Sequence, residues 1–261
     1  VTRNFNSMIK ENIFYETNII SPGKKGGRKT QEFKLNDDLC YFISIAVIDG
    51  RVLALLENFG GVIVRKLERK IRINSNDSFI ETVVGCIDEL KEMEEEKFKE
   101  VLSINVAIPG LIDSNNGFIR YSSEMNLNDL NLRKELGNRY GKYITVENDA
   151  NAAGANSLFL SDFTDKNCIY FLFFLPENLL SLNEIGAGII IDSKIYKGNS
   201  SSAGEVRIKN YWMLPNIDQV ETLQLECLDE KVLNENEDIR NYICNFSERI
   251  AGVIHFIDPK K

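Results

Sequence analysis

Val146-Glu147-Asn148-Asp149-Ala150-Asn151-Ala152-Ala153-Gly154 joins two kinds of sequence. The residues before it, Tyr143-Ile144-Thr145-Val146, are β-branched and apolar, and those after it are rich in alanine. That change reads as a buried strand delivering its carboxyl end into a helix, with Asp149 at the corner. In open α/β sheets ligands collect outside the carboxyl ends of strands, and a carboxylate held there can accept a proton from a bound hydroxyl. A plainer role is also open to Asp149, that of a cap accepting hydrogen bonds from the free N–H groups of the helix.

Upstream of this corner the pattern is strand-rich and then helical. Tyr41 to Ile48, Val52 to Leu56 and Gly61 to Ile71 predict three antiparallel strands, separated by Asp49-Gly50 and Phe59-Gly60-Gly61 as hairpin turns. The spacing of Phe79, Ile80, Val83, Val84, Ile87 and Leu90 predicts a helix from Asp77 to Lys99, charged and solvated towards its end. Val101 to Ala107 is a continuous apolar run, as in a parallel strand covered on both faces. Phe118 to Tyr121 and a helix from Leu130 to Tyr140 lead back to the corner.

Downstream the pattern restarts. Cys168 to Leu175, Ile185 to Ile191 with Gly186 and Gly188 inside it, and Lys194 to Lys197 after an Asp192-Ser193 turn predict three more strands. A repeated three-strand meander followed by helices is the organisation of a duplicated two-lobed α/β fold with a cleft between the copies. Asp238 to Ile257 carries Ile239, Ile243, Phe246, Ile250, Ile254 and Ile257 at helical spacing and ends at Asp258-Pro259. His255, in that helix, reads as a packed core residue.

The amino-terminal residues differ in charge from the rest. The whole chain of 261 residues has 31 Lys and Arg against 39 Asp and Glu, a net charge of −8. Residues 1 to 30 nevertheless hold six basic side chains and two acidic ones, so a small basic appendage precedes an acidic body. Phe5, Met8, Ile9, Ile13 and Phe14 share one helical face across residues 4 to 17, with Arg3, Asn4, Asn6, Ser7 and Lys10 on the others. Ile19-Ile20 and Phe33-Leu35 then flank a Gly-rich basic tip containing Lys24, Lys25, Arg28 and Lys29, which predicts a hairpin. Basic hairpin tips suit phosphate contact, and polar residues near a helix start can reach base edges, although such a tip is also an ordinary solvated turn.

Composition sets outer bounds. The 43% hydrophobic and 27% charged content is that of an ordinary globular chain. No apolar run reaches membrane-spanning length and Val1-Thr2-Arg3-Asn4 lacks a secretory layout, so a cytoplasmic location with no membrane partner is expected. The five cysteines, at 40, 86, 168, 227 and 244, are odd in number and widely spaced, which suggests neither a disulfide framework nor a zinc knuckle.

Four pieces in order, Ile108-Pro109-Gly110-Leu111-Ile112-Asp113, the Val146 to Gly154 stretch, Ile185-Gly186-Ala187-Gly188-Ile189-Ile190, and Ile195-Tyr196-Lys197-Gly198 leading to Ala203-Gly204-Glu205, resemble the ROK family. This is a group of bacterial sugar kinases and sugar-responsive transcriptional regulators with the actin-like ATPase (ribonuclease H-like) fold. By the resemblance Asp149 holds the position of the catalytic base that deprotonates a sugar hydroxyl. Asn148 and Glu205 match positions that hold sugar hydroxyls, and Asp229 falls where the family places a sugar-contacting Glu. Thr2 to Asn18 looks like the recognition helix of the regulator branch's winged helix-turn-helix, and Gly26-Gly27-Arg28-Lys29 like its wing. The resemblance thus implies a partial winged helix-turn-helix over residues 1–36, a first lobe over 37–160 and a second over 161–261. The family's first two DNA-binding helices have no counterpart before Val1, and its last strand and helices none after Lys261.

Several family features are replaced. Ala46 and Ile48 stand where an Asp-x-Gly phosphate loop belongs, and Leu182-Asn183-Glu184 stands in place of Gly-Thr-Gly. Glu184 would bring negative charge to a point of close phosphate approach. Of the zinc motif only Cys227 is kept, with Val220, Thr222 and Ile208 at the other ligand positions, and one ligand cannot make a tetrahedral site. Glu124 replaces a sugar-binding Asn. The expectation is a catalytically inactive, sugar-responsive DNA-binding repressor, without resident cofactor. Its expected partners are operator DNA, a small sugar or sugar phosphate, and a second copy of the chain. The alternative is an ATP- and magnesium-dependent hexose or amino-sugar kinase with Asp149 as general base.

Overall fold

The computed structural model describes residues 2–20, 30–48, 50–161, 166–173 and 184–207. The chain divides into two compact units, residues 1–107 with 125–146, and residues 108–124 with 147–261.

The first unit opens with helix α1 (Thr2–Lys10), followed by β1 (Phe14–Ile20) and β2 (Thr30–Leu35), which pair antiparallel. The helix expected across residues 4–17 therefore ends early. Asn12 takes a left-handed φ of 59°, and the aromatic and β-branched residues from Phe14 onward are better served by a strand. Phe14 still contributes to the apolar side, because its ring lies 5.7 Å from that of Phe5, which also meets Phe33 edge-on at 4.9 Å. The hairpin is as expected; its basic tip lies outside the described residues.

A short linker, Asn36 to Cys40, leads into β3 (Tyr41–Ile48), β4 (Arg51–Asn58) and β5 (Ile63–Lys70), an antiparallel meander as the turn residues predict. Helix α2 (Asn76–Met93) starts at a capping box in which the Ser75 side chain accepts from the Ser78 N–H. The single helix expected to Lys99 is broken at Glu94, whose φ of −140° leaves the helical region, and α3 (Glu95–Lys99) resumes beyond it. Arg65 and Lys97 both pair with Glu94, so a break in a charged run is held by ion pairs.

Strand β6 (Val101–Ile108) is parallel to β3, with Ile43 opposite Ile104 and Ile45 opposite Val106. Strands β7 (Leu111–Asp113) and β8 (Phe118–Ser122) belong to the second unit; β9 (Leu127–Leu130), α4 (Leu132–Tyr140) and β10 (Tyr143–Asn148) follow. The resulting five-stranded mixed sheet has the order β10-β6-β3-β4-β5. Alternate residues Val52, Ala54 and Leu56 of β4 and Ile43, Ile45 and Val47 of β3 are buried, as are Phe79, Val83, Cys86, Ile87 and Leu90 of α2, which packs on β4 and β5.

Strand β10 passes directly into α5 (Asp149–Leu160), which belongs to the second unit. Strands β11 (Cys168–Phe173), β12 (Glu184–Ile191) and β13 (Lys194–Ile195) form an antiparallel meander, and β14 (Glu205–Arg207) pairs with the other edge of β12. The β12–β13 turn places Asp192 and Ser193 at φ 51° and 60°, the double left-handed geometry of a tight hairpin. Helix α5 packs on β12 at unusually short range. A Cβ on Gly188 would lie 2.5 Å from the Ala150 carbonyl oxygen, and one on Gly154 would lie 3.4 Å from Gly188 Cα. Leu158, Cys168 and Ile190 close the core beneath, with Ile195 against them. The architecture is α/β with mixed sheets, and no helix of the described residues is long and apolar enough to cross a membrane.

Candidate functional site

The corner between β10 and α5 divides its polar work among three consecutive residues. Asn148, extended at φ −66° and ψ 141°, is the N-cap of α5: its Oδ1 accepts from the Asn151 N–H at 3.1 Å. The cap is thus Asn148 and not Asp149. The Asn148 amide nitrogen donates one hydrogen to the Gly110 carbonyl at 3.1 Å and the other to Glu205 Oε1 at 3.0 Å. Asp149, 7% exposed, begins the helix and its Oδ1 accepts from the Ala150 N–H at 2.8 Å.

Glu147 collects the bonds that hold the corner. Its Oε1 accepts from the Ser114 hydroxyl at 2.8 Å, the Asn148 N–H at 3.0 Å and the Asn151 amide at 3.4 Å. Its Oε2 accepts from Lys197 Nζ at 2.5 Å. Sequence reasoning gave neither Glu147 nor Lys197 a role, although both stand inside quoted motifs. What was missing was the pairing, because 50 residues separate the two and only the fold brings them together.

Glycines set the approach of the remaining segments. Gly110, at φ 131°, lets the turn after β6 run against Tyr121 and Ser122, so its carbonyl reaches Asn148. Gly204, at φ 88°, presses on the Ala187 carbonyl with no room for a Cβ, and its own carbonyl accepts from the Ala187 N–H at 2.9 Å. That contact delivers Glu205, which is exposed, beside Asn148. Beyond the turn, Asp113 accepts from the Asn116 side chain at 3.0 Å and from Arg120 at 3.2 Å, and its carboxyl is held below the ordinary range chiefly by the Asn116 amide. Asn151 Oδ1 and Ser122 Oγ are buried side-chain atoms without a hydrogen-bond partner, as at positions met by ordered water or by a bound polar group.

The structure therefore brings Asn148 and Glu205 together, with Asp149 next to Asn148 in the chain, while Asp229 lies outside the described residues. Glu124 is exposed. Ala46 sits mid-strand in β3, opposite Leu53 and Ala107, and the backbone of Glu184 opens β12. Leu182, Asn183, Ile208, Val220, Thr222 and Cys227 lie outside the described residues, as do His255 and the helix expected from Asp238. Among the described residues no group of three or more His, Cys, Asp or Glu side chains is placed to hold a metal ion. At the amino terminus, Asn4, Asn6, Ser7 and Lys10 are exposed on α1, and Ser7 donates to Glu11 at 2.9 Å. Arg3 lies in α1, its side chain outside the description, and Lys24, Lys25, Arg28 and Lys29 are outside it altogether.

Known proteins resemble this arrangement. The xylose repressor of Bacillus subtilis (strain 168) is 25% identical over 209 residues, covering 79% of this chain and 51% of the repressor. The crystal structure of a ROK family transcriptional regulator, a homolog of the Escherichia coli MLC protein, superposes with a TM-score of 0.63 at 20% identity, covering 78% of this chain and 50% of that one. A ROK family glucokinase from Streptomyces griseus, solved with glucose and AMPPNP, gives 0.53 at 18% identity, covering 63% and 49%. The chain spans about half the length of the curated relatives it matches. Residues 61–207, more than half of the sequence, match the ROK family model, and the chain belongs to the ROK family.

Proposed function

We propose that the protein is a sugar-responsive transcriptional repressor of the cytoplasm whose kinase-like body binds a neutral sugar without phosphorylating it. The observation that carries this reading is the Asn148–Glu205 pair, an amide and a carboxylate held together at the carboxyl end of a strand, with the Asp149 carboxylate on the next residue of the chain. Carboxylates accept hydrogen bonds and cannot donate them. Such a set suits a ligand rich in hydroxyl donors and disfavours a phosphate, which brings more negative charge and no donors at neutral pH. Among the described residues the Lys197 ammonium at this corner is paired with Glu147. A neutral pentose or hexose is therefore preferred over a sugar phosphate, in keeping with relatives named xylose repressor.

The DNA-binding half of the proposal rests on α1 and the β1–β2 ribbon, read as the recognition helix and wing of a winged helix-turn-helix. Asn4, Asn6, Ser7 and Lys10 form the exposed polar face of α1, opposite the Phe5 contacts. Absence of phosphate transfer is supported by Ala46 within β3, where a metal-positioning carboxylate would be needed. Repression would be relieved through linkage, with sugar lowering the affinity for the operator by its preference for one state of the protein.

Calorimetry of the protein against xylose, glucose and their phosphates tests the ligand half. Binding of a neutral sugar, weakened by Asn148→Ala and Glu205→Ala by about 1–3 kcal/mol each, is the expected result. Fluorescence anisotropy on operator DNA, with a chain extended upstream of Val1, tests the other half. Affinity that falls steeply with salt and falls again on adding the sugar supports it, and binding indifferent to sequence at moderate salt refutes it. The kinase reading draws on Asp149 as base with Asn148 and Glu205 as sugar contacts. Turnover with ATP and magnesium, abolished by Asp149→Asn, would install it instead.

A further inference from the structure

We propose that Lys197 is a positioning residue: it anchors the loop of residues 198–204 so that Glu205 is presented to Asn148. The two feet of this loop are tied to consecutive residues of the corner. At one end Lys197 Nζ meets Glu147 Oε2 at 2.5 Å, and at the other Glu205 Oε1 receives the Asn148 amide at 3.0 Å. Between them the loop closes on itself. The Ala203 N–H donates to the Lys197 carbonyl at 3.2 Å, the Glu205 N–H donates to the Ser202 carbonyl at 3.3 Å, and Ser200 and Ser202 share a hydroxyl bond of 2.8 Å. Gly198, at φ 69°, makes the return possible, since a Cβ there would already press on Ala203 at 3.3 Å.

The consequence is mechanical. Glu205 is exposed and lies at the very start of the three-residue strand β14. Its direction is set by the Gly204–Ala187 contact and by the closed loop that precedes it, and the loop's other end is held by Lys197. The side chains of Lys197 and Glu147 are 28% and 26% exposed, which places the pair well inside the range where an ion pair is only partly screened by water. Glu147 in turn holds Asn148 through its N–H. One carboxylate thus sets both the donor and, through Lys197 and the loop, the acceptor of the hydroxyl-binding pair.

This inference rests on the sugar-binding reading for its functional consequence, and the test separates the two. Hydrogen exchange is followed on the full chain and on Lys197→Met, Lys197→Arg and Ser114→Ala, with calorimetry of each against neutral sugars. In Lys197→Met the amides of Ala203, Glu205 and Ala187 are expected to exchange about tenfold faster or more, with β3 and β6 amides unchanged, and sugar affinity to fall about tenfold or more. Lys197→Arg, which can still reach Glu147, restores both. Ser114→Ala removes a different donor from Glu147 and leaves exchange in the loop as it was. Unchanged loop exchange in Lys197→Met overturns the proposal, whatever the affinity does, and so does faster exchange with affinity retained. If the parent chain binds no sugar the functional reading fails, and loop exchange alone then decides whether Lys197 is the anchor.

Discussion

Replacing Gly188 by alanine should be among the most damaging single-methyl changes this protein can suffer. The added Cβ would stand 2.5 Å from the Ala150 carbonyl oxygen, 3.3 Å from the Ala150 carbonyl carbon and 3.3 Å from Gly154 Cα. All three are backbone atoms of α5, so no side chain can rotate out of the way. Carbon and carbonyl oxygen in contact sit about 3.3–3.6 Å apart, and the first turn of α5 must therefore retreat by roughly 0.8 Å or more. Overpacking of this kind costs about 1–3 kcal/mol, and a helix backbone that must move as a body belongs to the upper half of that range. In urea, with a slope of about 2–3 kcal/mol per molar, the unfolding midpoint should drop by about 1 M. Sugar affinity should fall as well, because Ala150 is two residues from the Asn148 cap. The matched control is Gly85→Ala in the middle of α2, where the nearest atom to the new Cβ is Arg69 Nη1 at 4.0 Å and the chain is helical. There alanine should stabilise by about 0.5–1 kcal/mol. A Gly188→Ala midpoint within error of the parent, or a Gly85→Ala midpoint that falls with it, would refute the argument that close approach of α5 and β12 is what these glycines provide.

Asp113 supplies a pH prediction. Its carboxyl is lowered chiefly by the Asn116 side chain; burial, next in size, opposes this, and the Asn116 N–H and Arg120 add to the lowering. A folded value below the unfolded one means that its contribution to the β7–β8 turn is complete above the ordinary carboxylate value of about 3.9 and is lost as pH falls through the lower folded value. An NMR titration of the carboxyl carbon should show Asn116→Ala moving the midpoint up by more than Arg120→Ala does; no movement in either would contradict the assignment. Phe5→Ala removes the edge-on contact with Phe33 and the tilted one with Phe14, worth about 0.5–1.5 kcal/mol each beyond burial. It should loosen α1 from the ribbon and weaken operator binding about tenfold while sugar affinity, read by calorimetry, stays as it was.

The elements that sequence placed well are those in which pattern and tertiary structure agree. The β3–β4–β5 meander has turn residues at both corners, and β6 is parallel to β3 as expected, although its residues alternate between buried and partly exposed and Leu102 is exposed, so it is not covered on both faces. Errors fall where two signals overlapped. Phe5 and Phe14 do meet, yet one stands on a helix and the other on a strand while Met8 is exposed, and periodicity could not see the change of element at Asn12. A helix continued through Glu94 satisfies propensity, since Glu and Lys are good helix formers; the partner that local sequence does not show is Arg65 from β5, which pairs with Glu94 at the break. At the site, the polar corner was legible as a corner but its division of labour was not. Capping preferences do not separate Asn148 from Asp149, and only the hydrogen bond to the Asn151 N–H does.

That division bears on what survival of these residues means. Asn148 caps α5 and ties Gly110 to the corner, so a chain that bound no sugar would still need it for folding. Glu147 is in the same position, with four donors on one carboxylate. Their presence therefore counts equally for a kinase, a regulator and a protein that has lost its ligand. Glu205 differs. It is exposed, and the bond to Asn148 can be replaced by water at small cost to stability. Yet a glycine with no room for a side chain, a closed loop and a half-buried ion pair combine to hold that carboxylate in one place. Such a costly arrangement around an exposed acid is hard to account for by folding alone. The proposed hydroxyl-bearing ligand would need an acceptor fixed beside the Asn148 amide, which makes Glu205→Ala the substitution that best separates a working sugar site from a merely well-folded corner.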